Sequence, residues 1–235
     1  MTTSVPALSV IVPCLNEAER LPLLLADLGR WNGEIERIVV DGGSDDATAG
    51  IARLAGASCV RALRRGRGAQ LAHGARQATA PWLLFLHADS RLNHDWPMAV
   101  EAVISKASTE HSAWFFDLHL NPRRPALRLL ECAVSWRSRW LQRPYGDQGL
   151  LLHRQLYTQG GGFAPLPLME DLDFVLRLAQ YAQFRPIGQT LESDARRWDG
   201  ISLIKRSWCN FRLRQRWRQG DNPDQLAREY YGPAT

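Results

Sequence analysis

The chain has 235 residues, 45% of them apolar and 23% charged, which is enough to fill one large α/β domain without disulfides or lipid. Its formal net charge of +5 comes almost wholly from arginine, since Lys106 and Lys205 are the only lysines; arginine suits two-pronged recognition of phosphate. No nucleic-acid-binding motif accompanies that charge, so nucleic acid is not an expected partner. No apolar run approaches the roughly 20 residues of a spanning helix, and no basic-then-apolar leader opens the chain. The cysteines Cys14, Cys59, Cys132 and Cys209 are scattered and form no C-x-x-C pair. A reducing cytoplasm is the expected setting.

In chain order, Leu8 to Pro13 (LSVIVP) reads as a strand buried on both faces. Asn16 stands three residues before Glu19, the pattern of an N-cap with a reciprocal partner. Leu21, Leu24, Leu25 and Leu28 follow at helical spacing. A second strand over 35–40 ends in Asp41-Gly42-Gly43-Ser44, and Asp45 and Asp46 are placed to open the next helix, where they suit its dipole. A short strand over 59–62, a helix over 69–78 and a strand over 82–86 complete the first ninety residues.

This alternation predicts a mostly parallel, twisted sheet flanked by helices, with right-handed crossovers. Ligands of such sheets sit at the carboxyl ends of the strands. There the sequence places Asn16 and Glu17, then Asp41 and Ser44, then His87 and Asp89. One shared site is expected. In the second half, 114–120 alternates like a strand, 125–141 like a basic amphipathic helix, 149–153 like a strand, and 168–179 like a helix. From Arg196 to Arg218 eight basic residues stand against one acid, Asp199. A main domain over 1–195 and a helical extension over 196–235 packed on it are expected.

Several of these residues suggest chemistry, each with a plainer alternative. Asp89, just past a buried strand, can hold a hard cation such as Mg²⁺ or Mn²⁺, or cap a turn. Glu170, Asp171 and Asp173 crowd one helical turn, and such crowding can raise one carboxyl toward a useful general base; the alternative is an acidic helix start. Arg67 and Gly68 lie in a basic glycine loop that can cradle phosphate or be merely solvated. Asp147 and Gln148 form a polar joint or a turn. The tryptophan-bearing basic segments 128–140 and 205–217 suit a buried core or a peripheral contact with anionic lipid.

Taken together, Val10-Ile11-Val12-Pro13-Cys14-Leu15-Asn16-Glu17, Val40-Asp41-Gly42-Gly43-Ser44-Asp45-Asp46-Ala47-Thr48, Gly66-Arg67-Gly68, His87-Ala88-Asp89, Gly146-Asp147-Gln148-Gly149 and Met169-Glu170-Asp171 resemble family 2 of the glycosyltransferases, in order and spacing, over roughly residues 8 to 180. The chain is most similar to a small soluble subgroup named for its genomic association with radical-SAM and selenium-related proteins. Asp194 to Trp198 and Pro223 to Tyr230 resemble the closing motifs of that subgroup.

The resemblance implies a GT-A fold, a UDP- or GDP-sugar donor, a hydroxyl acceptor, inversion at the anomeric carbon and a divalent cation, Mn²⁺ or Mg²⁺. It puts Pro13, Asn16, Glu17, Asp41 and Ser44 around the nucleotide. His87 and Asp89 fall on the D-x-D motif, with Asp89 as the metal-binding member. Asp171 falls on the base, with Glu170 beside it, and Arg196, Arg197 and Trp198 on a loop closing over diphosphate or acceptor. Arg67, Gly68, Asp147 and Gln148 complete the expected substrate contacts. Two positions depart from the pattern: Gly42 replaces a second aspartate, and His87 replaces the first acid of D-x-D. A nucleotidyltransferase of similar fold is the rival enzyme, although it would want a lysine-bearing glycine-rich turn where Pro13 to Glu17 stand. A catalytically inactive nucleotide-sugar-binding or membrane-surface protein is the other alternative, and a homodimer stays open.

Overall fold

The computed structural model describes residues 6–122, 124–194 and 203–232. Its centre is β1 (Leu8–Cys14), whose seven residues are all buried. On one side β1 pairs in parallel with β2 (Ile35–Asp41), which pairs in parallel with β3 (Ser58–Arg61); on the other it pairs in parallel with β4 (Trp82–Phe85). Three helices make the crossovers: α1 (Leu21–Leu28), α2 (Thr48–Leu54) and α3 (Arg67–Gln77). The strand–helix alternation therefore gives the parallel half that its spacing predicts.

Beyond β4 the sheet reverses. Strands β5 (Ser90–Leu92), β6 (Ser112–Asn121), β7 (Leu150–His153) and β8 (Gln183–Asp194) extend it to the order β3-β2-β1-β4-β7-β6-β8-β5. β7 is antiparallel to β4 and to β6, β8 runs parallel to β6, and β5 is antiparallel to β8. Helices α4 (Trp96–Ile104), α5 (Pro125–Trp140), α6 (Arg154–Gln159) and α7 (Glu170–Leu178) lie between these strands in the chain, and α8 (Leu203–Arg218) and α9 (Pro223–Tyr231) follow them.

Because strand side chains alternate faces, β1 feeds two cores. Leu8, Val10 and Val12 pack with the α1 leucines and Trp96. Ile11 faces the other way, toward Leu71 and Ala75 of α3 and Phe174 and Val175 of α7. Gly74 lets α3 settle onto the sheet: a Cβ there would collide with Ile11 Cγ2 and lie 2.9 Å from Val40 Cγ2.

Some expectations need correction. Asn16 does not cap α1, which begins at Leu21 with Arg20 as its uncapped N-terminal neighbour. Asn16 instead adopts a left-handed backbone (φ 54°) and accepts a hydrogen bond from the Asp45 amide. Asp45 and Asp46 precede α2 rather than opening it. The tryptophans of α5 and α8 are not core as a group: Trp136, Trp140 and Trp208 are exposed. Trp217 does pack, with Tyr230 and Met169, around the buried Leu168, Leu213, Leu226 and Ala227. That small core fastens α8 and α9 onto the segment leading into α7.

Candidate active site

The carboxyl ends of β1 and β2 carry two loops that are laced together. The amides of Asn16, Glu17 and Ala18 donate to Ser44 Oγ (2.9 Å), Thr48 Oγ1 (2.9 Å) and Asp46 Oδ2 (3.0 Å). Asp41 Oδ1 receives both the amide and the hydroxyl of Ser44, at 3.0 and 2.5 Å. Asn16, Asp41 and Ser44 thus stand together as expected, tied into the frame of the rim. Gln70, which the sequence did not single out, reaches from α3 to donate to the carbonyls of Cys14 and Val40, each at 2.8 Å. A Cβ on residue 42 would lie 3.0 Å from that amide nitrogen and 3.2 Å from the Cys14 oxygen, so glycine suits this position.

Next to this rim lies an open cleft of about 330 Å³ lined by Pro13, Glu17, Arg67, His87, Asp89 and Tyr231, among others. A second opening of about 150 Å³ is lined by Arg67, His87, Tyr145, Asp147, Asp171 and Arg214. The two share Arg67 and His87. Asp89 therefore looks into one compartment and Asp171 into the other, with the His87 imidazole at the partition. This follows from the reversal of the sheet: Phe85 of β4 pairs with Leu150 of β7, so the residues after β4 and those before β7 meet at one edge.

Asp171 sits in the first turn of α7, which leaves Met169 in a left-handed turn (φ 64°). Its Oδ1 accepts the Leu172 amide at 2.7 Å and its Oδ2 accepts the Gly146 amide at 2.9 Å. A side chain at Gly146 would press on the His87 ring and only touch Asp171. A Cβ there would lie 2.8 Å from His87 Nε2 and 3.4 Å from Asp171 Oδ2. Gly146→Ala is accordingly expected to displace the imidazole and to lower any activity of this site by about 10–100-fold, since a displacement near 1 Å costs on that order. Its melting temperature should stay close to that of the parent chain; the two readouts together check the prediction.

The acidic turn resolves by sending its three carboxylates in three directions. Asp173 pairs with Arg177 of the next turn, at 2.6 Å. Glu170 is fully buried and pairs with Arg67. Burial pushes the Glu170 carboxyl up, the Arg67 charge opposes that rise, and Asp171 adds to it. Glu170 thus holds Arg67 in place through one oxygen, while its buried Oε2 has no hydrogen-bond partner among the described residues. Asp147 is also pushed up, by burial first, with Arg137 pulling down and Asp171 pushing further. Its Oδ1 is buried and has no hydrogen-bond partner among the described residues.

Two expected substrate contacts are taken up by the protein itself. Gln148 is fully buried; its oxygen accepts from Ser138 Oγ (2.7 Å) and Arg137 Nη2 (3.1 Å), and its nitrogen donates to the Phe116 carbonyl (3.2 Å). Gly68 is buried against the loop before α7: a Cβ would collide with the Ala164 carbonyl and lie 2.9 Å from the Leu166 carbonyl and from Glu170 Cβ. It is there for close packing, not for approach to phosphate. Arg196, Arg197 and Trp198 lie outside the described residues. Tyr145, Asn210, Arg214, Tyr230 and Tyr231 also line the two openings, although none of them was an expected site residue. Among the described residues no group of three or more His, Cys, Asp or Glu side chains could hold a metal ion.

Residues 9–118, just under half of the chain, match the model for Glycosyl transferase family 2. The solved structure of residues 1–349 of TarS from S. aureus superposes with a TM-score of 0.65 at 18% identity, covering 80% of this chain and 60% of that one. The fold is GT-A. A second GT-A neighbour, the mannosyltransferase PcManGT from Pyrobaculum calidifontis in complex with GDP-Man and Mn²⁺, gives a TM-score of 0.62 at 21% identity over 91% of this chain and 61% of that one. In sequence, an uncharacterized glycosyltransferase of Mycobacterium bovis is 33% identical over 142 residues, 57% of this chain and 60% of that protein. The chain spans less than two thirds of the length of the curated relatives it matches first. Among the described residues no helix is long and apolar enough to cross a membrane.

Proposed function

We propose that the protein is an inverting glycosyltransferase that moves a sugar from a nucleoside-diphosphate sugar to an acceptor hydroxyl. The observation that carries this reading is the pair of compartments meeting at His87 and Arg67, with Asp89 in one and Asp171 in the other. Displacement with inversion needs the leaving diphosphate and the attacking hydroxyl on opposite faces of the anomeric carbon, and two joined compartments provide for that. The donor class is supported by solved GT-A neighbours, TarS with UDP-GlcNAc and PcManGT with GDP-Man.

On this reading the nucleotide lies along the Pro13–Glu17 rim and the acceptor enters past Tyr145, Asp147 and Asp171. Asp171, held by two backbone amides, takes the acceptor proton as its oxygen attacks. Arg67, aligned by Glu170, lends positive charge between the compartments. The donor set fits a cation held by one protein carboxylate, Asp89, with phosphates and water completing its shell, as Mg²⁺ and Mn²⁺ accept. Such a cation supplies charge neutralisation to the departing diphosphate. We read α8 and α9 as part of the same domain, because Leu213 and Leu226 bury against Leu168. The 223–230 segment supports the small radical-SAM- and selenium-associated subgroup.

A thermal-shift screen of UDP- and GDP-sugars, with and without Mn²⁺, tests the donor side. One nucleotide sugar should raise the melting temperature in a Mn²⁺-dependent way, because a ligand that binds only the folded state stabilises it. Asp89→Ala should lose the Mn²⁺ dependence and bind the donor about tenfold more weakly or worse, on the scale of a lost metal contact. An equal Mn²⁺-dependent shift in that variant would remove Asp89 from the metal site.

A further inference from the structure

Helix α5 has two apolar faces, and the fold uses only one. Leu127, Leu130 and Val134 pack with Leu118 and Leu120 of β6. On the far side Leu129, Ala133, Trp136 and Trp140 succeed one another four, three and four residues apart, which places them in a single stripe along the helix. All four are exposed, Leu129 and Trp140 by 75% and Trp136 by 57%. A soluble surface seldom leaves such a run of large side chains bare without a use for it.

A second exposed aromatic pair lies on α8, where Trp208 and Phe211 stack with ring centroids 5.7 Å apart. The two helices approach at Tyr145, whose ring lies 3.7 Å from the guanidinium of Arg137 on α5 and 5.7 Å from that of Arg214 on α8. The charge around the α8 aromatics is one-signed, whereas Asp117 and Glu131 stand with Arg139 around Trp136 and Trp140 of α5. The α8 sequence LIKRSWCNFRLRQRWR contains no acid, and Lys205 and Arg212 are exposed beside Trp208 and Phe211. On α5, half-exposed Arg128 pairs with Glu131 at 3.4 Å, the other oxygen of Glu131 accepts the Leu120 amide, and Arg139 pairs with Asp117, so the unbalanced positive charge of this surface is that of α8.

We infer that α5, together with the exposed aromatics of α8, rests on an anionic membrane surface, the tryptophans entering the headgroup boundary and the lysine and arginines meeting lipid phosphates. Tryptophan and a cationic fringe on one helix face are what an interfacial helix requires, and each cation near an anionic leaflet adds to the attraction. On α8 charge also argues against a second copy as occupant, since two such faces would set Lys205 and Arg212 against their like. The surface adjoins the opening on the Asp171 side, to which α8 contributes Asn210 and Arg214.

Co-sedimentation of the full chain with vesicles tests this without any assay of transfer, so it stands or falls apart from the proposed reaction. Binding is expected to vesicles of phosphatidylcholine with 30% phosphatidylglycerol and not to phosphatidylcholine alone, and to weaken in high salt. Trp136→Ser/Trp140→Ser should lower the partition coefficient about tenfold or more, since tryptophan burial supplies much of interfacial binding. Lys205→Glu/Arg212→Glu, which keeps every aromatic, should remove the preference for anionic lipid. Both variants should melt like the parent, as the replaced side chains are exposed. Absence of vesicle binding, binding indifferent to both variants, or a solution dimer that Trp136→Ser/Trp140→Ser splits would overturn the inference.

Discussion

Asp171→Asn will lower the rate of glycosyl transfer by about 10²–10⁴-fold, the range that removing a positioned general base costs, while leaving nucleotide-sugar binding intact. Asparagine keeps the shape of the side chain, and its single oxygen can accept the Gly146 amide or the Leu172 amide, though not both as Asp171 does. Beyond one of those two bonds, it loses the capacity to take a proton. The Asp89 compartment is lined by different residues, apart from the shared Arg67 and His87, so the Mn²⁺-dependent thermal shift should survive. Transfer measured as release of nucleoside diphosphate, set beside that shift, decides the matter. Undiminished transfer would move the base elsewhere, and Asp147 would then be the nearest candidate.

Arg67→Met will destabilise the fold by about 3–5 kcal/mol, because it strands a buried carboxylate without its partner. Glu170 is fully buried, and Arg67 is its ion-pair partner. The double variant Arg67→Met/Glu170→Leu should regain most of the loss, since an apolar pair of similar volume removes both charges. Urea unfolding of the three proteins under one buffer condition gives the comparison. The single variant should also respond to pH in a definite direction. Burial holds the Glu170 carboxyl above its ordinary value, and Arg67 opposes that rise. Without Arg67 the folded form favours a protonated Glu170 more strongly still. A carboxyl raised in the folded state stabilises below its unfolded value and loses that contribution as pH rises through the folded one. Arg67→Met should therefore gain stability relative to the parent as the pH is lowered from neutral toward about 4. A single variant as stable as the parent at neutral pH would mean that the pair does not anchor α7 to α3.

The parallel half of the sheet was legible because its strands are short apolar runs alternating with leucine- and alanine-bearing helices, and local pattern decides both. The placing of Asn16, Asp41, Ser44, His87 and Asp89 at strand ends was legible for the same reason, but His87 and Asp89 line the cleft while Asn16, Asp41 and Ser44 are spent on bracing its rim. Strand β8 was not. Its twelve residues are interrupted by Pro186 and by Gly188 in a left-handed turn (φ 84°), and the register with β6 shifts between Phe115 and Asp117. Those features hide a strand whose pairing partner lies some seventy residues away. Asn16 failed as a cap because the Asp45 amide, remote in sequence, claims its side chain. Gln148 misled in the same manner, since Ser138 and Arg137 occupy an oxygen that its motif seemed to offer to a ligand. Spacing places a side chain on an element; it does not reveal which distant donor has already engaged it.

The reversal at β4 and β7 has one more consequence. Everything on the Asp89 side is cross-braced by backbone amides and by Gln70, whereas the Asp171 side is assembled from the turn before β7, the start of α7 and two terminal helices joined by a four-residue core. On the proposed reading, α8 bears on the acceptor alone, since its Asn210 and Arg214 line the Asp171 compartment, whereas α9 reaches both compartments through Tyr230 and Tyr231.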